Sequence, residues 1–146
     1  MAVTFTALVS GASAIAKLSN DVVKAEVLVD LTLAALAGAV TTDVIQCIKV
    51  PENAIVTKVG WYTVVADTTA QATIGDATTA NGWDAAADFT TIGNNGFSLE
   101  GTDTYALGKF YTVADTIDIT LSADSAEIGK IMVFAEYSVA STNLVA

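Results

Sequence analysis

From residue 116 to 122 the chain alternates strictly between apolar and polar positions. Ile117, Ile119 and Leu121 share one face, and Asp118, Thr120 and Ser122 share the other, which is the two-residue period of a half-buried strand. Residues 27–33 repeat the pattern, with Val27, Val29, Leu31 and Leu33 inward and Leu28 standing among the outward Glu26, Asp30 and Thr32. Residues 130–139 predict a third strand. Ile131, Val133, Ala135, Tyr137 and Val139 occupy one side of it, and Lys130, Met132, Phe134, Glu136 and Ser138 the other. In residues 55–65 the predicted inward set is Ile55, Val59, Trp61 and Val65. This segment follows Pro51-Glu52-Asn53-Ala54, a turn in which Pro fixes its own φ and Asn tolerates tight geometry. Residues 43–50 and 55–65 are therefore expected to be neighbouring antiparallel strands. Helical periodicity is scarce, so the fold class is all-β, with the pattern of a sandwich or barrel.

Residues 75–108 are rich in turn formers and poor in charge, the composition of a contact surface rather than a plain connection. Within them Asp84 is expected to cap a helical turn through Ala85, Ala86 and Ala87, because its carboxylate can accept free amide protons. Asn95-Gly96 predicts a tight turn. Residues 1–24 stand apart, small in side chain with a β-like start at Val3, Phe5 and Ala7. They read as an extended N-terminal arm or a first strand, and residues 25–146 as the sandwich domain. An arm of this kind adds a strand to a neighbour's open sheet edge, which makes Phe5 a candidate contact.

Composition adds a requirement for a partner. The 146 residues suffice for one domain that buries roughly two thirds of its unfolded surface. Yet 53% are hydrophobic, only 15% are charged against about 25% in ordinary soluble domains, and mean hydropathy is +0.56. Something besides water is expected to cover part of this surface. A membrane is not the expected cover, because no run approaches the roughly 20 apolar residues of a spanning helix. The uncharged residues 1–16 are interrupted by Thr4, Thr6, Ser10, Gly11 and Ser13, and no Lys or Arg precedes them as a signal peptide would require. An outer-membrane barrel would have more regular strands with aromatic girdles. Other protein surfaces remain, and Leu28, Tyr111, Met132 and Phe134, apolar on predicted outward faces, are the candidates to meet them. A net charge of −10, with six lysines, no arginine and no histidine, repels phosphate backbones, so nucleic acid is not an expected partner.

The same inventory argues against catalysis. Without histidine no imidazole can serve as base, acid or metal ligand, which removes the usual hydrolase triads. No phosphate-binding glycine loop, dinucleotide fingerprint or nucleophile elbow occurs. Asp84 and Asp88 near Trp83 have the residue types of a glycosidase or sugar site, and Asp76, Asp84 and Asp88 those of a cation site. Their spacing matches no calcium loop, and acidic residues at loops and caps are the simpler reading. Neither metal nor cofactor is expected. Cys47, alone in the apolar run Val44-Ile45-Gln46-Cys47-Ile48, reads as a buried thiol.

Three stretches carry a family likeness: Asp43-Val44-Ile45-Gln46-Cys47-Ile48-Lys49-Val50-Pro51; Ile74-Gly75-Asp76 with Gly82-Trp83-Asp84; and Tyr111-Thr112-Val113-Ala114-Asp115-Thr116-Ile117-Asp118-Ile119-Thr120. Together they resemble the jelly-roll decoration (cement) proteins of tailed bacteriophages, over residues 43–137. The resemblance implies an antiparallel β-sandwich with jelly-roll connectivity, a homotrimer or similar small oligomer, and attachment to the major capsid protein on the outer surface of the virion. It joins Trp83 to the candidate interface, which then comprises Leu28, Tyr111, Met132, Phe134, Trp83 and Phe5. A tail, baseplate or fibre component is an alternative. So is a nonviral carbohydrate or cell-surface binding module using Trp83, Trp61 and Tyr105 as stacking residues.

Overall fold

A computed structural model describes residues 4–9, 22–98 and 103–140, with the backbone alone for 5–9. The strands are β1 Thr4–Val9, β2 Val23–Asp30, β3 Val44–Val50, β4 Ala54–Val65, β5 Gln71–Gly75, β6 Asp84–Asp88, β7 Asn95–Phe97, β8 Lys109–Tyr111, β9 Asp115–Ala123 and β10 Lys130–Val139. Among the described residues the helical content is one 3-10 turn, Ala34–Leu36. One sheet has the order β1-β3-β9-β5-β6 and the other β2-β10-β4-β7, with β8 also paired to β4. Among the described residues every pairing is antiparallel except that of β1 with β3.

The pairings nest. β5 lies against β6, β4 against β7, β3 against β9 and β2 against β10, so the chain from β2 to β5 is folded back on the chain that follows it. Bonds from β10 to β4 and from β9 to β5 then roll this long ribbon into two facing sheets. That is jelly-roll connectivity, and the expected sandwich is what the chain forms. One expectation about neighbours is overturned. β3 and β4, joined by the turn at 51–53 with Asn53 at φ 64°, lie in opposite sheets. The turn forms as read from sequence, but it carries the chain across the sandwich because each strand is claimed by a partner far away in sequence.

The core is built where the two inner faces meet. Val27, Val29, Val59, Trp61, Ile131, Val133 and Tyr137 come from one sheet, and Ile45, Ile48, Ile74, Ile117, Ile119 and Leu121 from the other, all buried. Trp61 and Phe89 meet edge to face at 5.2 Å. The alternation expected in β2, β9 and β10 holds except that Asp118, on the polar side of β9, is also buried; Cys47 is buried, its thiol raised by burial and next by the charge of Asp118. In β4 the phase fails at both ends. Lys58 opposes Glu136 while Val56 opposes Tyr137, and Val65 opposes Lys130 while Thr63 opposes Ile131, so β4 holds an extra residue at each place. These bulges turn Ile55 and Val65 outward, contrary to expectation. Leu33 is also exposed, because β2 ends at Asp30, whose Oδ1 accepts the Thr32 amide at 3.0 Å and hydroxyl at 2.6 Å to start a turn.

Two further readings of residues 75–108 are corrected. Asp84–Asp88 is a strand rather than a capped helical turn, since it pairs with β5 through Asp88–Gln71, Ala87–Ala72 and Asp84–Ile74. Asn95-Gly96 lies within β7, and the preceding bend places Gly93 at φ 84°. The loops at the end of the sandwich that holds residues 31–43 and 124–129 are fastened by carboxylates. Buried Asp67 accepts amides from Thr69, Ala70, Ala126, Ile128 and Gly129 and the Ser125 hydroxyl. Across the two loops Asp124 accepts the Thr41 amide and hydroxyl at 2.7 and 2.8 Å, and Glu127 accepts the Gly38 amide at 2.6 Å.

Candidate interaction surface

The two outer faces of the sandwich differ in chemistry. On the β1-β3-β9-β5-β6 sheet, cross-strand rows bring Val44, Thr120 and Thr73 together, and Gln46 beside Asp118 and Gly75. On the other sheet the rows are Leu28–Met132–Tyr62–Asn95 and Glu26–Phe134–Gly60–Phe97, followed by Lys24–Glu136–Lys58. Among the described residues, every exposed large apolar side chain within a strand belongs to this second sheet: Leu28, Ile55, Tyr62, Val64, Val65, Phe97 and Phe110. Met132 and Phe134 are half-buried between them. Gly60 makes the centre possible, for a Cβ there would collide with the Phe134 and Phe97 rings that close over it at 5.8 Å from each other.

Cations frame this aromatic centre. Lys58 Nζ lies 4.6 Å from the Phe97 ring centroid and 5.7 Å from that of Phe134, and Lys24 Nζ lies 5.3 Å from Phe134. Lys24 is also 3.7 Å from Glu26, and Lys130 pairs with Asp30 at 3.0 Å. Partly exposed pairs like these are worth about 0–1 kcal/mol in water and gain weight only when a partner excludes solvent. The face thus combines apolar rings with charges in hydrated positions, the make-up of a contact patch rather than of a pocket.

Of the residues singled out from sequence, Leu28, Met132 and Phe134 are brought together on this face. Trp83 and Tyr111 are not, and both readings are corrected: each is buried. Tyr111 faces inward because its hydroxyl donates to Asp76 Oδ2 at 2.7 Å while accepting from Trp83 Nε1 at 3.3 Å. Lys109 Nζ donates to the same carboxyl oxygen at 2.6 Å and to the Tyr105 hydroxyl at 2.9 Å. The other oxygen takes the amides of Thr78 and Thr79. Burial raises the Asp76 carboxyl, but these donors, Lys109 first, outweigh it and hold the group below the ordinary range. Trp83 and Tyr105 meet edge to face at 5.1 Å, so neither presents a free ring. Phe5 pairs through its backbone with Ile45, and its side chain lies outside the described residues, as do residues 10–21 of the expected arm.

Asp84 and Asp88 are also committed elsewhere. Asp84 Oδ2 accepts from Trp61 Nε1 at 2.7 Å and its Oδ1 from the Ala86 amide, and Asp88 Oδ1 takes the amide and hydroxyl of Thr90. The carboxylates of Asp76, Asp84 and Asp88 therefore serve separate loops and do not converge. Sequence reading missed Tyr62, Phe97 and Phe110. For Tyr62 the signal was present, since it alternates with the inward Trp61 and Thr63; Phe97 and Phe110 sit in three-residue strands too short to set a phase.

No protein-family model matches the chain. No curated protein matches it in sequence. Among solved structures the fold is similar to a chain in the capsid of Ralstonia phage GP4, with a TM-score of 0.67 and 15% identity over 93% of this chain and 100% of that one. A chain in the capsid asymmetric unit of cyanophage Pam1 is similar at TM-score 0.55 and 21% identity, covering 88% of this chain and 96% of that one. One in an acidic stable capsid of Helicobacter pylori bacteriophage KHP30 matches at TM-score 0.55 and 17% identity, covering 83% and 88%. At these identities the likeness is one of fold.

Proposed function

We propose that this chain is a non-enzymatic virion structural protein that decorates a bacteriophage capsid from its outer surface and stabilises it. Its partners are the major capsid protein and its own copies, in a homotrimer. The observation that carries this reading is the extent of the shared fold, which takes in 93%, 88% and 83% of this chain and 100%, 96% and 88% of three chains from phage capsids. The amphipathic outer face of β2, β10, β4 and β7 supplies contact area, and many copies on one shell multiply modest individual contacts. The polar groups best placed for chemistry, Asp76, Lys109, Tyr105 and Tyr111, hydrogen-bond one another in the fold.

The test is light scattering of the purified chain followed by co-sedimentation with phage heads that lack it. A stable oligomer that pellets with heads is expected. Phe134→Asp and Met132→Asp should pellet at least tenfold less while melting within a few degrees of the parent, because both side chains lie on the outer face. A monomer that stays in the supernatant overturns the decoration reading and favours a tail component or a nonviral binding module. Folded variants that pellet like the parent remove this face from the contact.

A further inference from the structure

The loop of residues 31–42 is an exposed apolar tip. It contains no charged residue, and it presents Leu33 at 54% and Val40 at 47% exposure. Beside it lies loop 124–129, bonded to it through Leu31 N to Gly129 O at 2.9 Å and Ser125 N to Ala39 O at 3.1 Å, and presenting Ile128 at 46%. In a chain with so little charge to spare, an apolar surface on loops calls for a cover.

Two features mark the tip as built rather than loose. Its shape is set by long-range side-chain bonds, Asp124 to Thr41 and Glu127 to Gly38. Its backbone is held in left-handed conformations at Gly38 (φ 76°), Thr42 (φ 78°) and Glu127 (φ 62°). For Thr42, a β-branched residue, that conformation is costly and is kept because its amide donates to Leu121 O at 2.8 Å and the Leu121 amide returns to Asp43 O at 3.0 Å. A surface already ordered loses little entropy on docking.

Charge identifies the occupant. The rim of the tip is acidic, with Asp124 and Glu127 exposed and no lysine in either loop. The aromatic face of the β2-β10-β4-β7 sheet carries Lys24 and Lys58 beside Glu26 and Glu136; Lys24 pairs with Glu26, and among the described residues no carboxylate forms an ion pair with Lys58, which lies over the Phe97 ring. Tip against tip sets carboxylates against carboxylates, whereas tip against face brings the Glu127 carboxylate to Lys58, the lysine at the aromatic centre. Tip against face pairs apolar with apolar and acid with base. We infer that the tip of one copy docks on the aromatic face of a second copy, a head-to-tail contact in which each subunit uses both patches. Contacts of this kind close into a ring when the rotation allows. The inference rests on the homo-oligomer in the proposed function and supplies its geometry.

The experiment is sedimentation velocity on the isolated full chain, without heads, over a range of concentrations. Lys58→Glu and Glu127→Lys should each weaken self-association at least tenfold, and the double variant carrying both should recover most of it. Glu127→Lys also removes the bond to Gly38, so Leu33→Asp with Val40→Asp, at side chains that make no hydrogen bond, is the second probe and should likewise give monomers with an unchanged melting curve. Folded tip variants that associate like the parent, or a double variant no better than the singles, overturn the tip-to-face contact. Head co-sedimentation is read separately. Heads that bind a monomeric parent chain sink this inference and leave the virion role standing, whereas a tip-dependent oligomer that ignores heads does the reverse.

Discussion

Two buried carboxylates bind protons in opposite senses. Asp118 is 5% exposed on the outer side of β9, and its Oδ1 has no hydrogen-bond partner. Burial pushes its carboxyl up to about 6; a hydrogen bond from Thr116 opposes this, and the charges of Asp115 and Asp76 add to it. Its folded value lies above the unfolded one, so the folded state holds the extra proton and stability falls as pH rises from about 4 to about 6, by about 3 kcal/mol for the full shift. Asp67 behaves the other way. Burial raises it, but the amides of Ala126, Thr69 and Ala70 and the Ser125 hydroxyl outweigh burial and bring it down to about 2. Its contribution, about 2 kcal/mol, is present above about pH 4 and lost as pH falls toward 2. Urea unfolding of Asp118→Asn should therefore show a gain of about 1–3 kcal/mol at pH 7.5 that vanishes near pH 4, while Asp67→Asn loses stability at pH 7.5 and approaches the parent near pH 2. Equal effects of Asp118→Asn at both pH values would mean that the buried charge is not what the substitution relieves.

At the scale of elements, β6 is a sheet edge protected by its own side chains. It is only five residues long. The Ala86 amide on its free side is taken by Asp84 Oδ1, and the Asp88 carbonyl by Asn94 Nδ2 at 3.2 Å. Such caps keep an edge from pairing with another chain. Asp84→Ala removes the Ala86 cap and leaves the part-buried Trp61 Nε1 without its acceptor, so it should cost about 1–3 kcal/mol and raise thioflavin-detected aggregation on mild heating. A variant that loses stability without new aggregation would show that the cap is merely structural. This edge also explains part of what the sequence concealed. Three consecutive alanines after an aspartate look like a capped helix locally, and only their pairing with β5 makes them a strand. Strands β2, β9 and β10 were legible because their alternation runs unbroken, whereas in β4 two bulges at Thr57 and Val64 reverse the phase, and bulges answer to the partner strand. Leu28, Met132 and Phe134 were legible as outward apolar residues for the same reason that β2 and β10 were. Trp83 and Tyr111 were not, since what turns them inward is the chain of bonds from Trp83 through Tyr111 to Asp76, at the end of β5 and far away in sequence from Tyr111.

The whole molecule is a nested ribbon whose outermost pair, β2 with β10, joins segments roughly a hundred residues apart, so its connectivity left no local trace in the pattern and entered only through the family resemblance. Nesting also orders the strands by how much depends on them. β10 is bonded on both sides, to β2 and β4, and its loss would open one sheet along its middle. β1 lies outside the ribbon, parallel to β3 at the margin of the other sheet. Deleting residues 1–19 should therefore leave a chain that still unfolds cooperatively in urea, at lower stability and with the β3 edge newly open, whereas ending the chain at 129 should abolish the transition. If a deletion of residues 1–19 removes cooperativity as well, β1 belongs to the folding unit and the boundary near residue 24 is wrong. If cooperativity survives, binding decides the rest: an arm that reaches a neighbouring subunit makes the deletion weaken head or oligomer binding more than it weakens the fold, and equal binding by the shortened chain leaves β1 a strand of its own sheet.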